Sequence, residues 1–414
     1  MPYWRLSGFY FFYFASLGAL IPYWNPYLHS LGFSDAKIGE LMAVIMITKV
    51  ISPNIWGWIA DHTGKRMAIV RLASLLSILC FAGVFFGQTF WWMAFVMAAF
   101  SFFWNASLPQ FEATTMTHLG DDTYRYNSIR IWGSVGFILT VIWLGHLFDN
   151  MQVVTWIGVE LEFVPRDIGI YESVFSDFKS APYSLLPLVL IVLFIGIWLS
   201  SLSVPESAAG HLTLDKEPLK NILCRKEVVY LLLAVFLVQA SHGPYYVFFT
   251  RYLSDWGYSA SETGFLWALG VIAEIVIFIF MQPLLKRFTP RVLIIAAIAL
   301  TIIRWVILAS YPQHYAIVFF SQLFHAASFG IMHAVTIVLI HHYFTGVHQG
   351  RGQALYSSIS FGLGGAIGSL YAGYLFTSQF ANMETGQLVF YISAVVCIFA
   401  LVIAWCGIER KHLP

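Results

Sequence analysis

Charge is what this 414-residue chain has least of. Asp, Glu, Lys and Arg make up 10% of it, where a soluble domain carries about 25%. That scarcity excludes an ordinary water-soluble globule. The two signs nearly cancel, leaving a net charge of +1, which argues against a nucleic-acid partner. Cysteine is scarce too. Cys80, Cys224, Cys397 and Cys406 have no CxxC spacing, and three of them lie in apolar runs, so neither a disulfide framework nor a zinc site is indicated. No phosphate loop ending in Gly-Lys-Ser/Thr occurs, and no nucleophile–base or metal-ligand set stands out. An enzyme is therefore not expected, and no cofactor or metal is required. The first apolar stretch lacks a small-residue cleavage site and runs on through Trp24 to Leu28 as a spanning helix, not a removable signal.

Hydrophobic residues, by contrast, form 59% of the chain. A membrane span needs about 20 apolar residues. That ruler predicts an all-α polytopic membrane protein of about twelve spans, near 6–28, 37–59, 67–88, 91–118, 123–148, 183–203, 227–251, 262–284, 291–311, 314–341, 352–376 and 387–407. With the N-terminus inside, roughly fifteen Lys and Arg fall on the cytoplasmic side and about four outside (Lys37, Arg166, Lys179 and Arg251). Both termini are accordingly expected in the cytoplasm. Residues 149–182 read as an external loop rich in acids, from Asp149 to Asp177. Residues 204–226, with Pro205, Gly210 and Pro218, read as a cytoplasmic linker between two six-helix bundles, 1–203 and 227–414.

The two bundles are related in sequence. A gapless shift of about 225 positions lays Ala15-Ser16-x-Gly18 on Ala240-Ser241-x-Gly243 and Tyr27-Leu28 on Tyr252-Leu253. Gly32 falls on Gly257, Ser34 on Ser259, Gly39 on Gly264 and Arg66 on Arg291. The same shift sets Lys49 against Glu274, so both repeats carry a charge at one depth of their second helix.

Those charges are the functional signal. Lys49, Glu112, Arg130, Glu274 and Arg304 all lie inside predicted spans, with His325 and His333 nearby. A charge at the bilayer centre costs roughly 2.5–3.5 kcal/mol on insertion scales, so such residues face a bundle interior or a watery cavity and mark a substrate or ion pathway by default. Glu112 and Arg130 each lie about eight residues from the same turn, Gly120 to Asp122, hence roughly 12 Å deep. Equal depth on consecutive helices permits a salt bridge; a purely structural ion pair is the alternative. Glu274, Arg304 and His325 all reach mid-membrane at the same rise per residue. Burial and neighbouring charge act there in opposite directions on protonation, which suits a proton-coupled site. His333 joins this set, with a hydrogen-bonded core histidine as its alternative. Lys49 has no evident partner in its own repeat and either holds an anion or snorkels to the interface. Trp24 and Trp132 are the aromatic residues expected at a binding site.

The loop after the second span reads Gly57-Trp58-Ile59-Ala60-Asp61-His62-Thr63-Gly64-Lys65-Arg66. It resembles the G-x-x-x-D-x-x-G-[RK]-[RK] loop of the major facilitator superfamily, with Asp61 placed to cap the next helix. The second repeat retains only Gln282-Pro283-Leu284-Leu285-Lys286-Arg287, with Arg291. Further along, Tyr13-Phe14, Pro22-Tyr23-Trp24, Ile129-Arg130-x-Trp132-Gly133-Ser134, Ala273-Glu274, Arg304-Trp305 and Gln322-Leu323-x-His325 with His333 are similar to the phenylpropionate permease family. That family in turn resembles the lactose permease group of proton symporters. The resemblance implies a sugar-site role for residues at the positions of Glu112 and Arg130, and a coupling role at Glu274, Arg304 and His325. Two departures stand out: Ser328 occupies the position of the symporters' proton-carrying carboxylate, and Gln239 and His242 stand where their seventh-helix acid would be.

What is expected, then, is a twelve-helix major facilitator fold working by alternating access around a midplane site. Three core cations against two core carboxylates favour a small monoanion, such as an aromatic carboxylate, taken up with a proton. A neutral sugar or nucleoside is the alternative substrate, and a transport-dead sensor on the same scaffold the alternative of another class. The resemblance implies a monomer in the inner membrane of a Gram-negative bacterium.

Overall fold

The computed structural model describes residues 2–120, 122, 125–157, 183–206, 219–346, 348–378 and 383–408, with backbone alone for 151–157. Helix is the regular structure throughout them, without a strand. In chain order the long helices are α1 (Tyr3–Ser30), α2 (Asp35–Thr63), α3 (Arg66–Phe86), α4 (Phe90–Leu119), α5 (Tyr126–Ile157), α6 (Leu186–Leu202), α7 (Lys226–Asp255), α8 (Ala260–Arg287), α9 (Pro290–Ser310), α10 (Tyr315–Tyr343), α11 (348–375) and α12 (Gln387–Gly407). Ten of these are long and apolar enough to cross a membrane; α6 is a shorter apolar helix, and α11 is broken in its middle. The protein is a multi-pass membrane protein.

Local sequence sets the helix ends. Thr89 accepts a hydrogen bond from the Trp92 amide to start α4, and Thr289 does the same for Val292 ahead of Pro290 in α9. Ser259 and Glu262 form a reciprocal capping box at α8. Gly64, at φ 67°, ends α2 in the left-handed region. Helices α1–α6 pack mainly among themselves, as do α7–α12; the two sets meet where α5 lies on α8, α2 on α11, and α1 on the second half of α7.

The repeat seen in sequence is also a structural one. Gly32 and Gly257 both take positive φ, 84° and 85°, at the turn after the first helix of each repeat. Gly39 and Gly264 are the close-approach points of the matched pairs α2–α11 and α8–α5. A Cβ on Gly39 would lie 2.6 Å from the Ser369 carbonyl oxygen, and one on Gly264 would lie 2.6 Å from that of Val141. Near Gly264 the two sets are also bolted by charge. The Asp149 carboxylate of α5 accepts from the Ala260 and Ser261 amides at the start of α8, at 2.8 and 2.9 Å, and Ser261 Oγ lies 2.9 Å from His146 Nδ1. On the other pair, Tyr374 of α11 donates to Glu40 of α2.

Gly264→Val is expected to prevent this end from closing. Overpacking costs about 1–3 kcal/mol, which converts to a roughly 5–150-fold loss of the closed state. Spin-label distances between α5 and α8 should lengthen. Unchanged distances would show that the contact yields without separation.

Two expectations change. Residues 149–182 are not all loop, because α5 continues to Ile157: the sequence after Asn150 holds no Gly or Pro to stop the helix until Gly158. The rest of that stretch, 158–182, lies outside the described residues. Within the 204–226 stretch a short helix, Leu219–Leu223, forms, and 207–218 lie outside the described residues.

Candidate functional site

Glu274 of α8, Arg304 of α9 and His325 of α10 converge as the spacing predicts. His325 Nε2 lies 2.7 Å from Glu274 Oε1, and Arg304 Nη1 lies 2.9 Å from His325 Nδ1. A guanidinium can only donate. Nδ1 of His325 therefore accepts, the ring proton lies on Nε2, and His325 donates it to Glu274. One chain of donors runs from Arg304 through His325 to the carboxylate. Arg304 is fully buried. It also donates to Ser328 Oγ at 3.0 Å and Gln322 Oε1 at 3.1 Å, and its guanidinium lies 4.3 Å from the Tyr245 ring centre and 4.6 Å from that of Trp305. Tyr245 in turn donates to Gln322 Oε1 at 3.0 Å. A buried cation needs this many partners, since an unpaired one would cost more than the contacts around it return.

The first repeat is arranged differently. Glu112 accepts from the Tyr126 hydroxyl at 3.3 Å, and Arg130 lies flat over the Phe14 ring, 3.7 Å from its centre. Among the described residues Arg130 forms no ion pair, so the expected Glu112–Arg130 salt bridge is not made. The reason lies in packing: α4 and α5 barely touch, because α5 lies against α1 and α8. Equal depth fixed the height of the two charges and not the side of the helix they occupy. Lys49 likewise has no ion-pair or hydrogen-bond partner among the described residues. All three side chains are partly exposed.

Between α7, α10 and α11 lies a small cavity. Its walls include Gln239, Ser328, Phe329, His333, Tyr356 and Phe361. His333 Nδ1 is hydrogen-bonded to the Tyr356 hydroxyl at 3.0 Å and stacks on Phe329. It belongs to this wall rather than to the Arg304–His325–Glu274 chain. Both α10 and α11 widen into π-helix beside the cavity, over Ala326–Ile331 and Ser358–Gly364.

The two tryptophans lie elsewhere. Trp24 is fully buried against Tyr27 and Phe81 in the packing of α1 on α3. Trp132 donates to the Tyr3 hydroxyl at 3.0 Å and meets Trp4 edge-on, tying α5 to the start of α1. In the loop after α2, Asp61 pairs with Arg66 at 3.1 Å, and Lys65 is exposed. The cap expected from Asp61 comes instead from Glu206, whose carboxylate accepts from the Met67 amide at 3.1 Å. A Cβ on Gly57 would lie 3.6 Å from Gln110 Nε2.

Sequence reasoning missed Tyr126, which holds Glu112, and the two π segments, and it named Phe14, which lies under Arg130, only as part of a family-like motif. Tyr and Phe are too common in this chain to stand out, and a π turn leaves no mark in hydropathy. Gln322 and Ser328 were visible as polar residues in an apolar helix and turn out to be Arg304 ligands.

A helical membrane bundle of two related repeats, with charged side chains inside its spanning helices, has the plan of the major facilitator transporters. The MFS_1 like family profile matches residues 3–388, and the chain belongs to that family. It is 26% identical over 406 residues to the probable 3-phenylpropionic acid transporter of Escherichia coli (strain K12), covering 96% of each chain. It is 25% identical over 378 residues to the maltose permease of Geobacillus stearothermophilus, covering 89% of this chain and 86% of the relative. The crystal structure of a mutant of the nucleoside transporter NupG superposes with a TM-score of 0.79 at 16% identity, over 98% of this chain and 100% of that one. The protein is a transporter of small solutes, not an enzyme.

Proposed function

We propose that this protein is a proton-coupled symporter of a small organic monoanion, an aromatic carboxylate by preference. It would work by alternating access between bundles 1–203 and 227–414, with both termini in the cytoplasm. One observation carries the reading: Lys49 and Arg130 lie within spanning helices, partly exposed, with no carboxylate partner among the described residues. A cation kept in that setting without an internal counter-ion is suited to a counter-ion brought by the substrate. Arg130 is stacked and planar, ready for bidentate contact with a carboxylate. Proton coupling falls to Glu274, joined to the Arg304–His325 chain. The 26% identity to the probable 3-phenylpropionic acid transporter supports the same substrate class. The likeness to maltose permease supports a second reading, symport of a neutral sugar.

Competition of uptake separates the two readings. An ester of the true substrate leaves a core cation unpaired, which costs about 2–5 kcal/mol. Aromatic acids are therefore expected to compete roughly 30- to several-thousand-fold better than their methyl esters. Strong competition by a neutral sugar with none by any aromatic acid would reverse the order of the two readings.

A further inference from the structure

We infer that Asp149 and Tyr374 are a matched pair of latch residues, each closing one seam between the two helix sets at the end that the proposed orientation places outside. This rests on the alternating-access reading above. The gapless shift that lays Ala15 on Ala240 also lays Asp149 on Tyr374. Both residues stand on the fifth helix of their repeat, α5 and α11, and both reach the second helix of the other repeat. Asp149 accepts from the Ala260 and Ser261 amides in the first turn of α8, at 2.8 and 2.9 Å. Tyr374 donates to Glu40 in the second turn of α2. One register position thus serves both seams, with a carboxylate in one repeat and a phenol in the other.

At α8 the contact does more than fill space. The first amides of a helix have no partner within it. Four consecutive amides open α8, from Ser259 to Glu262. The capping box satisfies the outer two: Glu262 Oε2 accepts from the Ser259 amide at 2.8 Å, and Ser259 Oγ accepts from that of Glu262 at 3.1 Å. The inner two, Ala260 and Ser261, are held by Asp149 of the other repeat. The cap of α8 is therefore shared between the helix sets. The capping box travels with α8, whereas separation of α5 from α8 takes a charged acceptor away from two amides and from the positive end of the helix. Glycines set the approach at both seams. A Cβ on Gly145, one turn before Asp149, would lie 2.6 Å from the Ala260 carbonyl oxygen, and one on Gly373, next to Tyr374, would lie 2.7 Å from Gly39 Cα.

Spin-label distances between Ser30 of α1 and Ser254 of α7, both exposed at this end, test the pair in the full-length protein in lipid, with no solute and no gradient. The result then does not depend on which solute is carried. Asp149→Asn keeps the shape and removes the charge, and is expected to raise the ratio of separated to closed protein roughly 5- to 30-fold. Tyr374→Phe should raise it too, by less, since it removes one exposed bond. Ser259→Ala is the control. It breaks the half of the cap that α8 supplies itself, so it should lower the melting temperature and leave the distances as in the parent. The two latch variants act on separate seams, so either carries the test if the other fails to fold. Asp149→Asn and Tyr374→Phe both at the parent distances would overturn the latch, whether or not their melting temperatures fall. Separation in one of them alone would overturn the pairing. Parent distances in every variant, Gly264→Val included, would sink alternating access itself, and the latch with it.

Discussion

Glu274→Gln is expected to reduce proton-driven accumulation to the level set by simple equilibration, while counterflow exchange continues. The amide keeps the size of the carboxylate and still offers an oxygen to the Nε2–H of His325, which lies 2.7 Å from Oε1 in the parent. The Arg304–His325 contact at 2.9 Å therefore has no reason to move. What the variant would lose is the group proposed to take up and give up a proton during each cycle. Counterflow requires binding and reorientation only, so it reports whether the site is intact when accumulation is gone. Full accumulation against a gradient in Glu274→Gln would move the coupling proton to another group.

Arg130→Ala should have the largest effect on binding. If the substrate carboxylate pairs with this guanidinium, truncation leaves the anion without its main counter-ion. The expected loss is about 2–5 kcal/mol, a rise in Kd of roughly 30- to several-thousand-fold. Arg130→Lys restores the charge but neither the fork nor the flat contact with Phe14 at 3.7 Å, so it should recover only part of the affinity. Glu112→Gln is the companion measurement. Normal binding by both Arg130→Lys and Glu112→Gln would reduce this pair of residues to a structural role.

The spans and the repeat could be read from the sequence because bilayer thickness and helix rise are fixed lengths. Glu274, Arg304 and His325 could be read for the same reason: three polar residues at one depth, on helices consecutive in the chain, have few places to go but toward one another. The same logic failed for Glu112 and Arg130. It yields depth along the membrane normal and nothing about rotation around a helix, and α5 turns toward α1 and α8 instead of α4. Trp24 and Trp132 failed because an aromatic residue in an apolar helix carries no sign of which face it is on; one went to the α1–α3 packing and the other to the start of α1. The π segments beside the cavity could not be read either, because a single widened turn alters neither composition nor period enough.

The repeat that sets Lys49 against Glu274 has a further consequence. The two repeats share a turn and close-approach glycines, but at this level they hold opposite signs. Superposing one repeat on the other thus keeps these contact points and exchanges one positive charge for a negative one. Under the proposed anion reading, a guest with one negative end would meet unlike charges at matched positions of the two repeats, a compass rather than a symmetric bowl.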